Sequence, residues 1–152
     1  MLTGLARPLP NQCSPQNDII SCGMPTRQDI ENAAEIGFKT VISLCSPSDT
    51  PAYEPAQARA LGMSFYNISV CGPADLTRDK AMALAEIVND CSKHPILLHC
   101  MSGNRVGALM ALKAFHADGA TPDQALKFGL AAGLTMLAPE VERLLRHAKR
   151  AE

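Results

Sequence analysis

The stretch that decides the fold is residues 96–112, which read ILLHCMSGNRVGALMAL. It begins with an apolar run typical of a buried strand and ends with a pattern typical of a buried helix. Gly103 lies between the two, where a tight turn favours a residue without a Cβ. Cys100 is the last residue of the predicted strand, and Arg105 lies in the first turn of the predicted helix. The stretch therefore predicts a strand, a turn and a helix in succession, with a thiol and a guanidinium beside the turn.

Patterns typical of strands and helices alternate along the rest of the chain. The predicted strands are residues 18–22, 38–45, 63–70 and 95–100. The predicted helices are residues 27–36, a short segment ending at 61, 77–90, 104–117, 122–130 and 140–149. Such alternation is typical of βαβ units, so we expect an α/β protein with a central four-stranded, mostly parallel sheet flanked by helices. Residues 1–17 are predicted to be an irregular N-terminal lead-in, and residues 18–152 to form a single domain.

Composition and charge exclude several classes of function. Hydrophobic residues make up 47% of the 152 residues, which is enough for a real core. The net charge of −1 gives no basic surface for nucleic acid or for an acidic membrane. The chain has no apolar run long enough to span a bilayer, and its first residues lack the apolar region of a signal peptide. We therefore expect no nucleic-acid or membrane partner and a cytoplasmic location.

The spacing and positions of the cysteines also bear on function. None of the six forms a CxxC pair and their spacing is unlike that of a zinc site, so no metal is expected. Cys22, Cys45, Cys71 and Cys100 each fall at or just after the carboxyl end of a predicted strand. Ligands of open α/β sheets bind beyond these strand ends. We therefore expect these four thiols to share one edge of the sheet, either as ordinary packed residues or as part of a site.

Cys100 differs from the other thiols in its surroundings. A thiol at a helix N-terminus and near a cation loses its proton well below its usual pKa. The backbone amides of residues 101–105 can curl around one point, and the following helix adds the positive end of its dipole. Arg105 presents a planar fork of donors that fits a tetrahedral oxyanion. The turn is therefore predicted to bind an anion and to hold Cys100 as a nucleophilic thiolate.

The same residues carry a resemblance to known families. Residues 99–105, HCMSGNR, are similar to the signature loop of the cysteine phosphatases, HCxxGxxR, and to the active loop of the rhodanese sulfurtransferases, CRxGxR. From about Asp18 to Leu112, the chain resembles the beta-lactamase-hydrolase-like phosphatase-like family, within the protein tyrosine and dual-specificity phosphatase-like fold. The matching segments besides HCMSGNRVGAL are SCGMPTRQDIENAAEIGFKTVISL and PADLT. The resemblance implies hydrolysis of phosphate monoesters through a phosphocysteine, with no cofactor and no metal.

The resemblance also implies roles for individual residues. Cys100 would be the nucleophile, and Arg105 would clamp the oxygens of the anion. His99 would adjust the reactivity of the nucleophile through backbone hydrogen bonding, although a purely structural role fits it equally well. Asp75 would be the acid that protonates the leaving group, although Asp is also common at turns and helix caps. The cradle of amides would come from Met101, Ser102, Gly103 and Asn104.

Two departures from the phosphatase pattern leave alternatives open. Arg105 comes one residue earlier than in the phosphatase signature, so the loop has the sulfurtransferase length. No hydroxyl follows it, because the next residues are Val106 and Gly107. A sulfurtransferase carrying a persulfide on Cys100 is the first alternative, and a non-catalytic module for an anion or a phosphopeptide is the second. The phosphatase interpretation predicts as substrate a phosphorylated protein, phosphotyrosine included, or a small phosphomonoester.

A redox role is a separate hypothesis. Cys45 or Cys71 is predicted to reach Cys100 and to form a protective disulfide under oxidation, because a thiolate near a second thiol favours this reaction.

Overall fold

The structure is a computed structural model, and it describes residues 8–148. A five-stranded sheet forms its centre, in the order β1-β2-β5-β3-β4. All neighbouring strands in it are parallel except β1 and β2, which are antiparallel. The strands are β1 (Cys13–Gln16), β2 (Ile19–Cys22), β3 (Thr40–Ser43), β4 (Ser64–Asn67) and β5 (Ile96–His99). The predicted α/β class and mostly parallel sheet are confirmed, but the predicted number of four strands was wrong.

The fifth strand is β1, and it lies in the segment that was predicted to be irregular. Its four residues include Pro15 and no aliphatic residue, so neither periodicity nor propensity marks a strand. It forms because the chain reverses at Asp18, whose φ of 66° is left-handed, and pairs back onto β2. Pro15 is tolerated because β1 is an edge strand. The tertiary pairing, rather than local preference, creates this element.

Within residues 8–148, six α-helices accompany the sheet, as predicted, with ends shifted by a few residues; the predicted end of the last one, at residue 149, lies outside the described residues. They are α1 (Arg27–Glu35), α2 (Glu54–Ala60), α3 (Arg78–Val88), α4 (Asn104–Asp118), α5 (Pro122–Ala131) and α6 (Ala138–His147). The side chains of Thr26, Thr77 and Thr121 cap α1, α3 and α5 by accepting a hydrogen bond from an amide in the first turn. No helix within residues 8–148 has both the length and the apolar character needed to cross a membrane.

The core has two layers, one on each face of the sheet. Strand β5 shows the division, because Ile96 and Leu98 pack against the cluster that contains α4, whereas Leu97 packs against the cluster that contains α1. Helix α4 is buried without a break from Val106 to Phe115. Strand β5 is likewise buried at all four of its positions, so both elements that flank the loop lie in the core.

The central strands end at one level. Cys22 of β2 and Ser43 of β3 both lie opposite His99 of β5 in the register of the sheet. The loops that follow these three strands therefore meet at one edge, where open α/β sheets bind their ligands. Cys100 follows directly and lies in that edge.

Candidate active site

Cys100 lies at the base of a tight loop between β5 and α4. Its amide donates a hydrogen bond to the carbonyl of Cys22 over 3.3 Å, and the residue is fully buried. The amide of Gly103 donates to Cys100 Sγ over 3.1 Å. Gly103 has a φ of 89°, a conformation that residues with a Cβ rarely adopt, and α4 begins at the next residue. The sulfur therefore faces an amide at a helix N-terminus, where the positive end of the helix dipole favours an anion.

Arg105 is held between two loops. Its Nη1 donates to the carbonyl of Val70 over 2.8 Å. Its Nη2 lies 3.5 Å from Asp49 Oδ2. The guanidinium is therefore oriented by one loop and paired with a carboxylate from another. Sequence reasoning missed Asp49, because a single Asp in a polar loop gives no signal until the fold brings it to Arg105.

The other predicted cradle residues differ in their exposure. Met101 and Ser102 are exposed, whereas Gly103 is buried. The carbonyl of Met101 accepts a hydrogen bond from the amide of Met24 over 3.2 Å, which ties the loop to the segment after β2.

Asn104 performs a structural task that the sequence did not indicate. Its Oδ1 accepts hydrogen bonds from the amide of Thr135 at 2.9 Å, from the hydroxyl of Thr135 at 3.2 Å and from the amide of Leu137 at 3.1 Å. The α5–α6 turn is thereby fastened to the first residue of α4. Gly107 permits this packing, because a Cβ there would lie 2.1 Å from the backbone nitrogen of Leu134.

A buried ionic pair lies behind the loop. His99 and Glu54 are 0% and 1% exposed, and His99 Nε2 contacts Glu54 Oε2. His99 Nδ1 lies 3.5 Å from the carbonyl oxygen of Cys100. Burial by itself would lower the pKa of His99, but hydrogen bonds to Cys45 and Glu54 outweigh it and raise the pKa to about 9. His99 is therefore an imidazolium at neutral pH, one residue from Cys100.

Glu54 was missed by sequence reasoning. A Glu at the first position of a helix is ordinarily an exposed residue that interacts with the helix dipole. Here α2 begins against the sheet, which buries this carboxylate.

Asp75 lies in a short 3-10 turn, Pro73–Asp75, in the loop before α3. Its Oδ2 accepts a hydrogen bond from the amide of Cys71 over 2.8 Å, and its Oδ1 lies 3.7 Å from Lys80 Nζ. The hydrogen bond from Cys71 and the charge of Lys80 lower the pKa of Asp75. The same loop carries Val70, whose carbonyl accepts a hydrogen bond from Arg105, so Asp75 lies a few residues along the chain from a contact of the guanidinium.

The remaining cysteines occupy distinct environments. Cys45 is buried and lies close enough to His99 to raise the pKa of its imidazole, whereas Cys71 is exposed. Cys22 is buried, and both this burial and the charge of the neighbouring Cys100 raise the pKa of its thiol. All six thiols are free in the structure. Within residues 8–148, no group of three or more His, Cys, Asp and Glu side chains is arranged to hold a metal ion.

A protein-family model matches residues 11–132, and its description is "DSP-PTPase phosphatase fused to NAD+ Kinase". Among curated proteins, the chain is similar to the inositol diphosphatase DSP5 of Arabidopsis thaliana. The two are 23% identical over 108 residues, which cover 68% of this chain and 52% of the relative. The chain therefore spans about half the length of this relative.

Solved structures share the fold. The core catalytic domain of the PP-IP phosphatase Siw14 from S. cerevisiae has a TM-score of 0.71 and 17% identity, over 94% of this chain and 88% of that one. A phosphatase-like protein from Shewanella putrefaciens has a TM-score of 0.72 and 21% identity, over 91% and 90%. TpbA of P. aeruginosa, in complex with pTyr, has a TM-score of 0.65 and 16% identity, over 90% and 82%. The predicted cysteine-phosphatase-like architecture is confirmed.

Proposed function

Because the chain belongs to the DSP-PTPase phosphatase family described as fused to NAD+ kinase, we propose that it is a cysteine-dependent phosphatase that hydrolyses phosphate monoesters. The prediction of a cysteine-phosphatase-like family is thereby confirmed. The observation that carries the proposed reaction is the hydrogen bond from the Gly103 amide to Cys100 Sγ at the N-terminus of α4. A thiolate held this way is a nucleophile beside an anion-binding turn.

In the proposed reaction, Cys100 Sγ attacks the phosphorus and the bond from phosphorus to the ester oxygen breaks. Arg105 and the amides of residues 101–104 hold the equatorial oxygens, on which the transition state spreads its charge. Asp75 donates the proton that the leaving oxygen needs. It then accepts a proton from the water that attacks the phosphocysteine, which releases inorganic phosphate and restores the thiolate.

The surroundings of two groups support these roles. The imidazolium of His99 lies behind Cys100, with its Nδ1 3.5 Å from the carbonyl oxygen of that residue, and Glu54 holds it in place. Asp75 is ionised in the free protein. A phosphate dianion beside it raises the pKa of the carboxyl group, so that the proton is bound when substrate is present.

The substrate is proposed as a phosphomonoester on a protein or on a small molecule. One relative is named for inositol diphosphates, and one structural neighbour holds phosphotyrosine. Inositol diphosphates and phosphotyrosine are therefore both candidate substrates for this chain. The family favours phosphoryl transfer over the sulfurtransferase alternative, in spite of the short loop.

The test is release of p-nitrophenol from p-nitrophenyl phosphate under reductant, with wild type compared with Cys100→Ser. Cys91→Ser is the matched control, since Cys91 is an exposed thiol in the turn before β5. We expect Cys100→Ser to abolish turnover and Cys91→Ser to retain it. A wild type without turnover would contradict the proposal, and persulfide formation on Cys100 from thiosulfate would then identify a sulfurtransferase.

A further inference from the structure

The substrate preference of the site depends on the segments around the mouth of the loop. We call these segments the rim. They are residues 8–12, 23–26, 46–53, 69–77 and 132–137.

The first two rim segments reach the loop through backbone hydrogen bonds. The amide of Met24 donates to the carbonyl of Met101, and the amide of Gly23 donates to the carbonyl of Pro10 over 2.7 Å. A Cβ on Gly23 would lie 2.7 Å from the Met101 carbonyl oxygen, so the two backbones are in direct contact. These segments therefore form one side of the mouth.

The other three segments are tied to the loop by side chains. Asp49 and Val70 contact the guanidinium of Arg105. Thr135 binds the side chain of Asn104. These contacts therefore place residues from all three segments beside the loop.

The rim carries little charge, and that charge is negative. Its charged side chains are Asp49 and Asp75, and the loop adds one cation, Arg105. Asp49 already lies 3.5 Å from that cation. One positive charge therefore serves the phosphate group, and among residues 8–148 the rim adds no second cation for another anionic group.

Of the described cations next to the rim, Arg78 lines a pocket beside Leu112 on α4, and two others have partners of their own. The guanidinium of Arg27 lies 4.5 Å from the centre of the Tyr53 ring. Lys80 pairs with Asp75 and donates to the carbonyl of Ser69. Recruiting either one for a polyanion would therefore break an existing contact.

Two exposed apolar side chains belong to the loop and to the rim. Met101 directly follows the nucleophile and is 47% exposed, and Met136 in the α5–α6 turn is 86% exposed. A thioether side chain is flexible and polarisable, so it adapts to apolar ligands of varied shape. Exposed apolar side chains beside a polar site are typical of ligand-binding surfaces.

We propose that this site selects phosphate monoesters whose phosphate is their only anionic group and whose leaving group is uncharged and apolar. It discriminates against substrates that carry several phosphate groups, including inositol pyrophosphates. Each additional phosphate brings negative charge toward Asp49 and Asp75, without a cation to offset the loss of hydration. The inference rests on the proposed phosphatase function and narrows its substrate class.

The test uses two substrates of nearly equal size that differ by one charge, 4-carbamoylphenyl phosphate and 4-carboxyphenyl phosphate. The third substrate is 5-diphosphoinositol pentakisphosphate. We expect wild-type kcat/KM to be about threefold to tenfold higher for the carbamoyl than for the carboxyl compound at low salt. The difference should shrink as salt screens the charges. The inositol pyrophosphate should be the poorest substrate.

Met101→Lys places a cation in the mouth, and Met101→Gln is its uncharged control. We expect the lysine variant to bring the carbamoyl-to-carboxyl ratio of kcat/KM to about one, whereas the glutamine variant retains the wild-type ratio. Because each variant is judged by a ratio of two substrates, a general loss of activity does not affect the result.

Binding of the same three compounds to Cys100→Ser, measured by calorimetry, separates this inference from the proposed function. A wild type that hydrolyses none of them overturns the phosphatase function, while the binding order still tests the rim. Tighter binding or faster hydrolysis of the inositol pyrophosphate, or equal values for the two aryl phosphates, overturns the inference.

Discussion

At the scale of single residues, the site depends on charges held in defined pairs. Glu54 and His99 form a buried pair, and removal of one member of such a pair leaves the other uncompensated. Asp49 and Arg105 form a partly exposed pair, where a carboxylate contacts the cation that a substrate phosphate would use. Substitutions in the two pairs should therefore have different effects. Loss of the Glu54–His99 pair should lower stability, whereas loss of the Asp49–Arg105 pair should change the affinity for anions.

Glu54→Gln should make stability less dependent on pH. The pKa of His99 rises from an unfolded value of 6.5 to about 9 in the folded protein. Its contribution is therefore complete below pH 6.5 and is lost as the pH rises through about 9. We expect the variant to lose on the order of 2–3 kcal/mol near pH 6 and less near pH 9. Urea unfolding across this range is the measurement.

Glu86→Gln, an exposed position on α3, is the matched control for Glu54→Gln and should follow the wild-type curve. A loss in the free energy of unfolding that stays constant between pH 6 and pH 9 would show that Glu54 contributes packing alone and not an ion pair with His99.

Asp49→Asn should strengthen the binding of anions. The substitution removes a carboxylate from the Arg105 guanidinium while its size is retained. We expect the inhibition constant of inorganic phosphate to fall about twofold to fivefold, because a partly exposed pair is worth up to about 1 kcal/mol. Asp123→Asn, an exposed position on α5, should leave this constant unchanged. A weaker inhibition by phosphate in Asp49→Asn would mean that Asp49 orients Arg105 rather than competing for it.

At the scale of elements, the loop and α4 act as one unit because the α5–α6 turn packs directly on them. Gly107 lies in the first turns of α4 and allows the backbone of Leu134 to approach. The loop before α3 brings Val70 and Asp75 to the same side. The site is therefore sensitive to changes in helices that carry no predicted catalytic residue.

Gly107→Ala should destabilise the protein strongly. Its Cβ would fall 2.1 Å from a backbone nitrogen, which cannot yield as a flexible side chain would. We expect a loss of about 3 kcal/mol, at the upper end of the cost of overpacking. Gly72→Ala is the control, because a Cβ at Gly72 meets no atom within 4 Å. Urea unfolding of the two variants makes the comparison, and similar stabilities would contradict this view of the packing.

Asp75→Asn should reduce activity in a way that depends on the leaving group. An acid matters most when the departing oxygen is strongly basic. We expect a loss of about 100-fold in kcat for phenyl phosphate and a smaller loss for p-nitrophenyl phosphate. Asp79→Asn, an exposed neighbour on α3, is the control. Equal losses for the two substrates would assign Asp75 to loop structure instead of proton transfer.

At the scale of the whole molecule, the sheet gathers thiols from separate strands at one edge. The disulfide between Cys100 and Cys45 or Cys71 stays a prediction. It would join two thiols that follow different strands of the sheet. Peroxide would oxidise Cys100 to a sulfenic acid, and attack by the second thiol would release water and form the disulfide. Peptide mass analysis after peroxide treatment should show the bond. A mass with oxygen added to Cys100 and no cross-linked peptide would refute it.

Much of the fold and the centre of the site could be predicted because the signals are local. The succession of strand, glycine turn and helix from Ile96 onward places Cys100, Gly103 and Arg105 together through short-range geometry alone. The six helices were predictable from threonine caps, glycine stops and apolar periodicity. The strand β1 was not, since its residues have no preference for extended structure and only pairing with β2 orders them.

The sequence by itself determined the loop from Cys100 to Arg105 and the family, because both depend on a few residues adjacent along the chain. Only the tertiary structure decided what surrounds that loop. Glu54 reaches His99 across 45 residues, and Asn104 reaches Thr135 across 31. Such contacts join residues whose separation along the chain carries no local pattern. They form only when parallel strands end at one edge and bring their loops together.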